Sequence, residues 1–308
     1  MRVVRLRTFG GPEVLELAEL DTPEPGPEQV LVRVVASGVN PADWKVRSGL
    51  VPKYGRPPLT PGLDVSGVVD RVGPGVTAFR LGDEVVGVPM GGGYADYVVV
   101  GVDALAVKPA GVEHVTAAAL PVAGLTAWQA VTEAAQIRAG DRILVHAAAG
   151  GVGHLAVQIA KHHGGYVIGT ARAANHDFLR GLGADEIVDY HTTDFTSAVR
   201  DVHAVLETVG GDYGPRSLEV LRPNGILVSI SGSGSVRLVT PEVAAARGRR
   251  YTEFPMHPSG ADLAALLDRV AAGTLRVDVA GTVPFTKAAD AHQRSESGRV
   301  RGKLVITH

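Results

Sequence analysis

Apolar and polar residues alternate along this chain in two rhythms, and the change from one to the other falls near Gly111. Before it, β-branched runs over 30–35, 65–72, 84–88 and 94–100 are punctuated by Gly and Pro clusters at 23–27, 57–62, 73–75 and 91–93. Short runs between such breakers are strand signals, and their close spacing predicts a barrel-like β domain. After it, strand-type runs over 142–146, 166–170, 186–189, 203–207 and 226–230 alternate with segments at helical spacing over 151–163, 175–181, 195–200 and 214–221. Strict alternation predicts a parallel, doubly wound sheet. Past Ser259, a helix over 261–272 precedes strand-like runs over 277–285 and 303–307. The last run is expected to return to the N-terminal β domain. The expected class is α/β, with divisions at 1–114, 115–257 and 258–308.

Composition narrows the function classes. A chain of 308 residues accommodates two domains. With 45% hydrophobic and 20% charged residues and a formal net charge of −2, nothing points to nucleic acid or an anionic membrane as partner. The chain has no cysteine, which excludes disulfides, thiolate metal sites and cysteine nucleophiles. The start, Met1 to Arg7, is basic but lacks the apolar core of a signal peptide. The uncharged stretch 115–132 is broken by Pro121 and Gly124, so a buried segment is expected rather than a membrane span. A cytoplasmic location is expected.

The strongest local signal is Ile143-Leu-Val-His-Ala-Ala-Ala-Gly-Gly-Val-Gly153, a strand run into a Gly-rich turn that opens a helical segment. A helix N-terminus reached this way offers backbone N–H groups to an anion, as in the first unit of a dinucleotide-binding fold. Ala148 stands where the first Gly of that pattern belongs. Gly150, Gly151 and Val152, with Ala149 in the same turn, are expected to meet a pyrophosphate. No acid occurs between Gly153 and Asp177, where an NAD site would carry a ribose-binding carboxylate. Thr170, Arg172 and Asn175 occupy that region instead and favour the extra phosphate of NADP(H). The alternative for Arg172 is a solvated loop charge. Other chemistries fail on spacing. Ser231-Gly-Ser-Gly-Ser235 is not a nucleophile elbow, the basic run ending at Lys303 is not a P-loop, and no His-Glu-x-x-His occurs.

Further stretches carry a resemblance along nearly the whole length: Phe9-Gly-Gly-Pro-Glu-Val-Leu15, Ala36-Ser-Gly-Val-Asn-Pro-Ala-Asp43, Pro61-Gly-Leu-Asp-Val-Ser-Gly67, Gly93-Tyr-Ala-Asp-Tyr97, Glu207-Thr-Val-Gly-Gly211 and Arg301-Gly-Lys303. In this order the chain resembles the zinc-independent quinone oxidoreductases (the zeta-crystallin-like family) of the medium-chain dehydrogenase/reductase superfamily. The resemblance implies a GroES-like β-barrel domain, a Rossmann-type NADP(H) domain and a cleft between them. Zinc-dependent relatives use a Cys near the position of Asn40 and a His-Glu pair where this chain has Leu63-Asp64, so no catalytic metal is expected.

What the resemblance implies is NADPH-dependent hydride transfer to a quinone or to the β-carbon of an enone. An enoyl-thioester reductase is the alternative in chemistry, and an NADPH-binding structural or regulatory protein with little turnover is the alternative in class. Tyr190 is carried over as a neighbour of the 2′-phosphate, and Asn40 and Thr126 as neighbours of the nicotinamide and its ribose. Val209, Gly210, Ser229 and Ile230 lie at strand ends where the topological rule places ligands. Phe254, Met256 and Lys303 are candidates for closing the nicotinamide pocket. Tyr54, or water, is the expected proton donor. Asp43 and Lys45 flank Trp44 in the loop expected after Asn40, where they either bond a carbonyl or hold the loop. Loops around 40–60, 90–94 and 231–256 are expected to line the acceptor pocket, and family relatives imply a homodimer paired through edge strands.

Overall fold

The N-terminal third forms strands β1 (Arg2–Leu6), β2 (Leu15–Glu19), β3 (Gln29–Val39), β4 (Val65–Val72), β5 (Glu84–Gly87), β6 (Tyr97–Gly101) and β7 (Leu105–Val107), of which β3 to β6 fall on the β-branched runs. Helix α1 (Pro41–Arg47) lies between β3 and β4, and α2 (His114–Ala118) and α3 (Pro121–Gln129) follow β7. The computed structural model describes residues 1–51, 55–230 and 238–308. These divide into two compact units, residues 1–125 with 258–308, and residues 126–257.

In the first unit β3 is the central strand. Its eleven residues pair antiparallel with β4, with β6 and with the C-terminal β15 (Lys303–Thr307), given below in chain order. Val30, Leu31, Val32 and Val34 are all buried, which is why its sequence reads as a continuous apolar run rather than an alternating one. The return of the chain pairs Leu304 with Val39, and this register sets Lys303 beside the residues that open α1.

The segment after Asn40 corrects the sequence expectation of a loop. It is a helix because Asn40 keeps an extended backbone (φ −121°), Pro41 pre-sets the first helical residue, and Asp43 reaches back to accept from the Asn40 N–H at 2.8 Å. Residues 115–132 fold into α2, α3 and the start of a π-helical turn, with Ala117, Ala118, Leu120, Leu125 and Val131 buried. Among the described residues no helix is long and apolar enough to cross a membrane.

The second unit continues in order with β8 (Arg142–Val145), α4 (Gly153–His162), β9 (Tyr166–Ala171), α5 (His176–Gly181), β10 (Glu186–Asp189), α6 (Phe195–Ala198), β11 (Val202–Glu207), α7 (Tyr213–Val220), β12 (Leu221–Ser229), α8 (Pro241–Ala245) and β13 (Arg250–Glu253). The first unit is completed by α9 (Gly260–Ala271), β14 (Val279–Pro284), α10 (Ala288–Glu296) and β15. The sheet of the second unit runs β10-β9-β8-β11-β12-β13, every pairing parallel. That is the third, second, first, fourth, fifth and sixth strand in chain order, the arrangement of a dinucleotide-binding sheet. Ile143, Leu144 and Val145 of β8 are fully buried, and α4 lays Leu155, Ala156, Ile159 and Ala160 inward at helical spacing. The order reverses between β8 and β11, and ligands bind at the carboxyl ends of strands beside such a reversal.

Candidate functional site

The chain leaves β8 at this reversal through His146. Ala147 then takes a left-handed backbone (φ 46°), which is uncommon without a glycine. The Gly150 N–H closes the turn on the Ala147 carbonyl at 2.8 Å, and the Ala148 N–H donates to the Thr170 carbonyl at 3.0 Å. A Cβ on Gly153 would lie 2.4 Å from the Ala147 oxygen and 2.7 Å from the Ala148 Cα, so only glycine lets α4 begin against the turn. Ala148, the departure from the Gly-rich pattern, has its compensation on the neighbouring strand. A Cβ on Gly169 would come 2.9 Å from the Ala148 methyl, so β9 supplies the space that the turn does not.

Two expectations for this turn are corrected. The Gly150 N–H is spent inside the turn, and Gly151 and Val152 are the donors left for an anion. Thr170 is fully buried; its hydroxyl accepts from the Ala147 N–H at 3.3 Å and lies 3.1 Å from His146 Nδ1. It supports the turn from beneath and does not reach out to a phosphate. Ala149 is buried beside it.

The parallel register pairs Asp189 with Ala171, which sets the next residues, Tyr190 and Arg172, side by side. Arg172 Nε donates to Tyr190 Oη at 2.8 Å. The Asn175 N–H donates to the Arg172 carbonyl at 2.9 Å and closes the short turn 173–175. Sequence reasoning missed Asp189 here, because the acid arrives on β10 and not at the end of β9. Its two oxygens accept from the Ala173 N–H at 3.2 Å and the His191 N–H at 2.9 Å, so it fixes the loop that carries Arg172. The signal was an acid at the end of the third strand, followed at once by Tyr190.

At the end of β11, the buried Glu207 carboxylate accepts from the Val209 and Gly210 N–H groups at 2.5 and 2.6 Å. Gly210 and Gly211 both have positive φ, 90° and 59°, which the tight loop needs. The Val209 side chain is exposed. The Ile230 N–H donates to the Glu207 carbonyl at 2.8 Å and the Phe254 N–H to the Ser229 carbonyl at 3.0 Å. The ends of β11, β12 and β13 therefore stand together. Phe254 and Met256 are half-buried, and Thr126 is buried on α3.

The first unit gathers a second polar cluster. Lys303 Nζ donates to Asn40 Oδ1 at 2.5 Å, to the Val39 carbonyl at 3.0 Å and to Asp64 Oδ2 at 3.2 Å. Asn40 Nδ2 donates to the same Asp64 oxygen at 2.8 Å, and the Val122 N–H at the start of α3 donates to the other at 2.7 Å. Asp43 accepts from the Asn40 N–H at 2.8 Å, from Tyr94 Oη at 3.1 Å and from the Gly62 N–H at 3.2 Å. All five side chains are buried, Lys303 at 3% and Asp64 at 0% exposure. Burial pushes the Asp43 carboxyl up to about 7 against its hydrogen bond from Asn40, and burial beside Asp43 holds the Tyr94 phenol well above its usual range. The polar atoms of Asn40 and Asp43 are thus committed to holding the start of α1. Lys45, on the same helix, sets its ammonium 5.6 Å from the Trp44 ring. Tyr54 lies outside the described residues. Asp64 and Tyr94 were not singled out from sequence as site members, because their partners are remote along the chain.

Two family models match the chain: the alcohol dehydrogenase GroES-like domain over residues 26–111, and the zinc-binding dehydrogenase over residues 182–306. A quinone oxidoreductase of Pseudomonas aeruginosa is 34% identical over 98% of this chain and 98% of its own length. Among solved structures, the quinone oxidoreductase of Coxiella burnetii superimposes with a TM-score of 0.93 at 38% identity, covering 100% of this chain and 99% of that one. The Escherichia coli quinone oxidoreductase complexed with NADPH superimposes with a TM-score of 0.92 at 30% identity, with 100% of both chains covered.

One of the family descriptions names zinc, and the residues here do not fit it. Where a metal would need ligands, Asn40 and Asp64 are already bridged by the Lys303 ammonium, a cation that the protein itself supplies. The chain has no cysteine, and among the described residues no group of three or more His, Cys, Asp or Glu is placed to hold a metal ion. A GroES-like match, a parallel sheet in dinucleotide-binding order and full-length relatives at this identity converge: the chain belongs to the quinone oxidoreductase family of the medium-chain dehydrogenases/reductases.

Proposed function

We propose that this chain is an NADPH-dependent quinone oxidoreductase. The observation that carries the reading is the Arg172–Tyr190 pair beside the Gly-rich turn. With Nε taken by Tyr190, the outer nitrogens of the guanidinium form a fork suited to a phosphate. The neighbouring carboxylate, Asp189, is committed to backbone N–H groups. In this reading the N–H groups of Gly151 and Val152 and the N-terminus of α4 hold the diphosphate. Arg172, Tyr190 and Asn175 hold the 2′-phosphate, and Thr126, Val209, Gly210, Ser229, Ile230, Phe254 and Met256 surround the nicotinamide half. The NADPH complex of the E. coli relative supports the cofactor, and the relatives' names support the acceptor.

When bound, the reduced nicotinamide supplies a hydride, and a quinone that takes it together with one proton becomes a hydroquinone. The chain's own contribution is to orient two flat ring systems and to keep the surroundings rigid. Asn40, Asp43 and Lys303 keep the backbone at 39–43 rigid, since their polar atoms already have protein partners. The proton comes from water or from Tyr54. The protein works as a homodimer in the cytoplasm.

Arg172→Ala tests the reading. NADPH should bind about 1.5–3 kcal/mol more weakly, the worth of a charge-assisted hydrogen bond, while NADH affinity stays level. Titration of both cofactors decides it, and equal losses would remove the 2′-phosphate assignment. Chelator-treated protein should oxidise NADPH with a quinone; turnover with an enoyl-thioester alone would move the acceptor elsewhere.

A further inference from the structure

His146 sits at the strand-order reversal, fully buried, with both ring nitrogens engaged. Ser217 Oγ donates to the Tyr213 carbonyl at 2.6 Å, which uses its only proton. Ser217 Oγ, 3.1 Å from His146 Nε2, must therefore accept from Nε2–H. At the other end the Ala147 N–H donates to Thr170 Oγ1 at 3.3 Å, and Thr170 Oγ1 lies 3.1 Å from His146 Nδ1. With the ring proton on Nε2, Nδ1 is an acceptor, and the Thr170 hydroxyl donates to it. The bonds run in one direction, from the Ala147 N–H through Thr170, His146 and Ser217 to the Tyr213 carbonyl. The main chain of His146 joins the same structure. Its N–H donates to the Leu206 carbonyl at 3.0 Å, and its carbonyl accepts from Thr208 Oγ1 at 3.1 Å. Phe195 and Tyr213 close over the imidazole edge-on, with ring centroids at 4.7 and 4.9 Å, and Arg216 lies over Phe195. Burial, reinforced by Arg216, pushes the imidazole down to about 3, so it stays neutral at neutral pH.

We propose that His146, held as the neutral Nε2–H tautomer, is a positioning residue that locks the Gly-rich turn to the 208–213 segment and thereby sets the affinity for the dinucleotide. One end of the relay holds Ala147, the left-handed residue that opens the turn, and the other holds the first residue of α7, next to the loop of Val209 and Gly210. The two loops that bracket a dinucleotide thus share one buried anchor. The proposal rests on the reading that this turn holds the diphosphate of NADP(H).

The test uses the full-length protein. Thr170→Val and Ser217→Ala, which cut the relay at either side of the ring, should each weaken NADPH and NADH alike, by on the order of tenfold. The KM for the quinone should stay within about twofold, and Thr170→Ser should restore cofactor affinity. Loss for both cofactors separates this role from that of Arg172, whose removal acts on NADPH alone. Long-range ¹H–¹⁵N spectra of histidine-labelled protein should place the His146 proton on Nε2 throughout the neutral range. That signature is read without cofactor, so it judges the relay even where wild-type protein proves not to bind NADPH, which would instead defeat the proposed function. An Nδ1–H tautomer, or unchanged cofactor affinity in folded Thr170→Val and Ser217→Ala proteins, would overturn the proposal.

Discussion

Lys303 and Asp64 meet in the interior with side-chain exposures of 3% and 0%. A buried ion pair is tolerated only when further bonds satisfy both ends. Here Asn40, the Val39 carbonyl and the Val122 N–H do so. Removing one partner leaves the other charged and uncompensated. Lys303→Met should therefore cost about 3–5 kcal/mol. Asp64→Asn combined with Lys303→Met should cost clearly less than Lys303→Met alone, because no charge remains and the amide oxygen that replaces the carboxylate can still accept from the Val122 N–H. Urea unfolding of both proteins measures this. A double variant as unstable as the single would mean that the ion pair is not what holds the cluster. Asn40 and Lys303 were each legible as polar residues in family motifs. Their pairing was not, because it joins positions 263 residues apart and depends on the β15–β3 register. Thr170 was misplaced for a related reason. A hydroxyl near Arg172 in sequence gives no sign of whether it turns outward or inward beneath the turn.

The elements divide by what their periodicity could carry. The six-stranded parallel sheet was largely legible, since β8 to β12 are apolar runs separated by helical spacing. β13 was not, because Arg-Tyr-Thr-Glu at an edge has no buried face to announce it. Helix α1 was hidden by its length of seven residues, although Asn-Pro-Ala-Asp was a start signal in plain view. The fit of the Gly-rich turn on β9 was also invisible, since Gly169 lies beyond α4 in sequence. That fit is testable as a pair. Gly169→Ala drives a methyl into Ala148 at 2.9 Å between Cβ atoms, and should cost about 1–3 kcal/mol, as overpacking does. Adding Ala148→Gly should recover most of the loss and rebuild the ordinary Gly-rich pattern. Thermal unfolding of the two proteins compares them; no recovery in the double variant would show that the clash lies elsewhere.

Across the whole molecule, buried titratable groups set the response to acid. Burial pushes His146 and His292 down to about 3 and His308 down to about 4, from an unfolded value of 6.5. Each is neutral in the folded chain, so its contribution is complete above the unfolded value and is lost as pH falls toward the folded one. Asp43 acts with the opposite sign. Its carboxyl lies near 7 when folded and 3.8 when unfolded, so the folded chain retains a proton that the unfolded chain releases, and stability falls as pH rises through that window. Near pH 5 the three histidines outweigh the one aspartate. At these four groups the unfolded chain then holds about two more protons, and their share of the stability drops by roughly 2.7 kcal/mol per unit of acidification. Between about pH 6.5 and pH 4 these groups should remove on the order of 6 kcal/mol, a large part of an ordinary stability of about 5–15 kcal/mol. His292 isolates the effect. Its ring packs edge-on against Tyr94 at 5.7 Å, and neither of its nitrogens has a hydrogen-bond partner among the described residues. His292→Phe should keep that packing, lose no hydrogen bond, and remove one proton from the difference. The slope should fall by about 1.4 kcal/mol per unit and the acid midpoint should move lower. Circular dichroism across an acid titration measures both, and an unchanged midpoint in a folded His292→Phe protein would mean that neutral buried histidines do not govern acid unfolding.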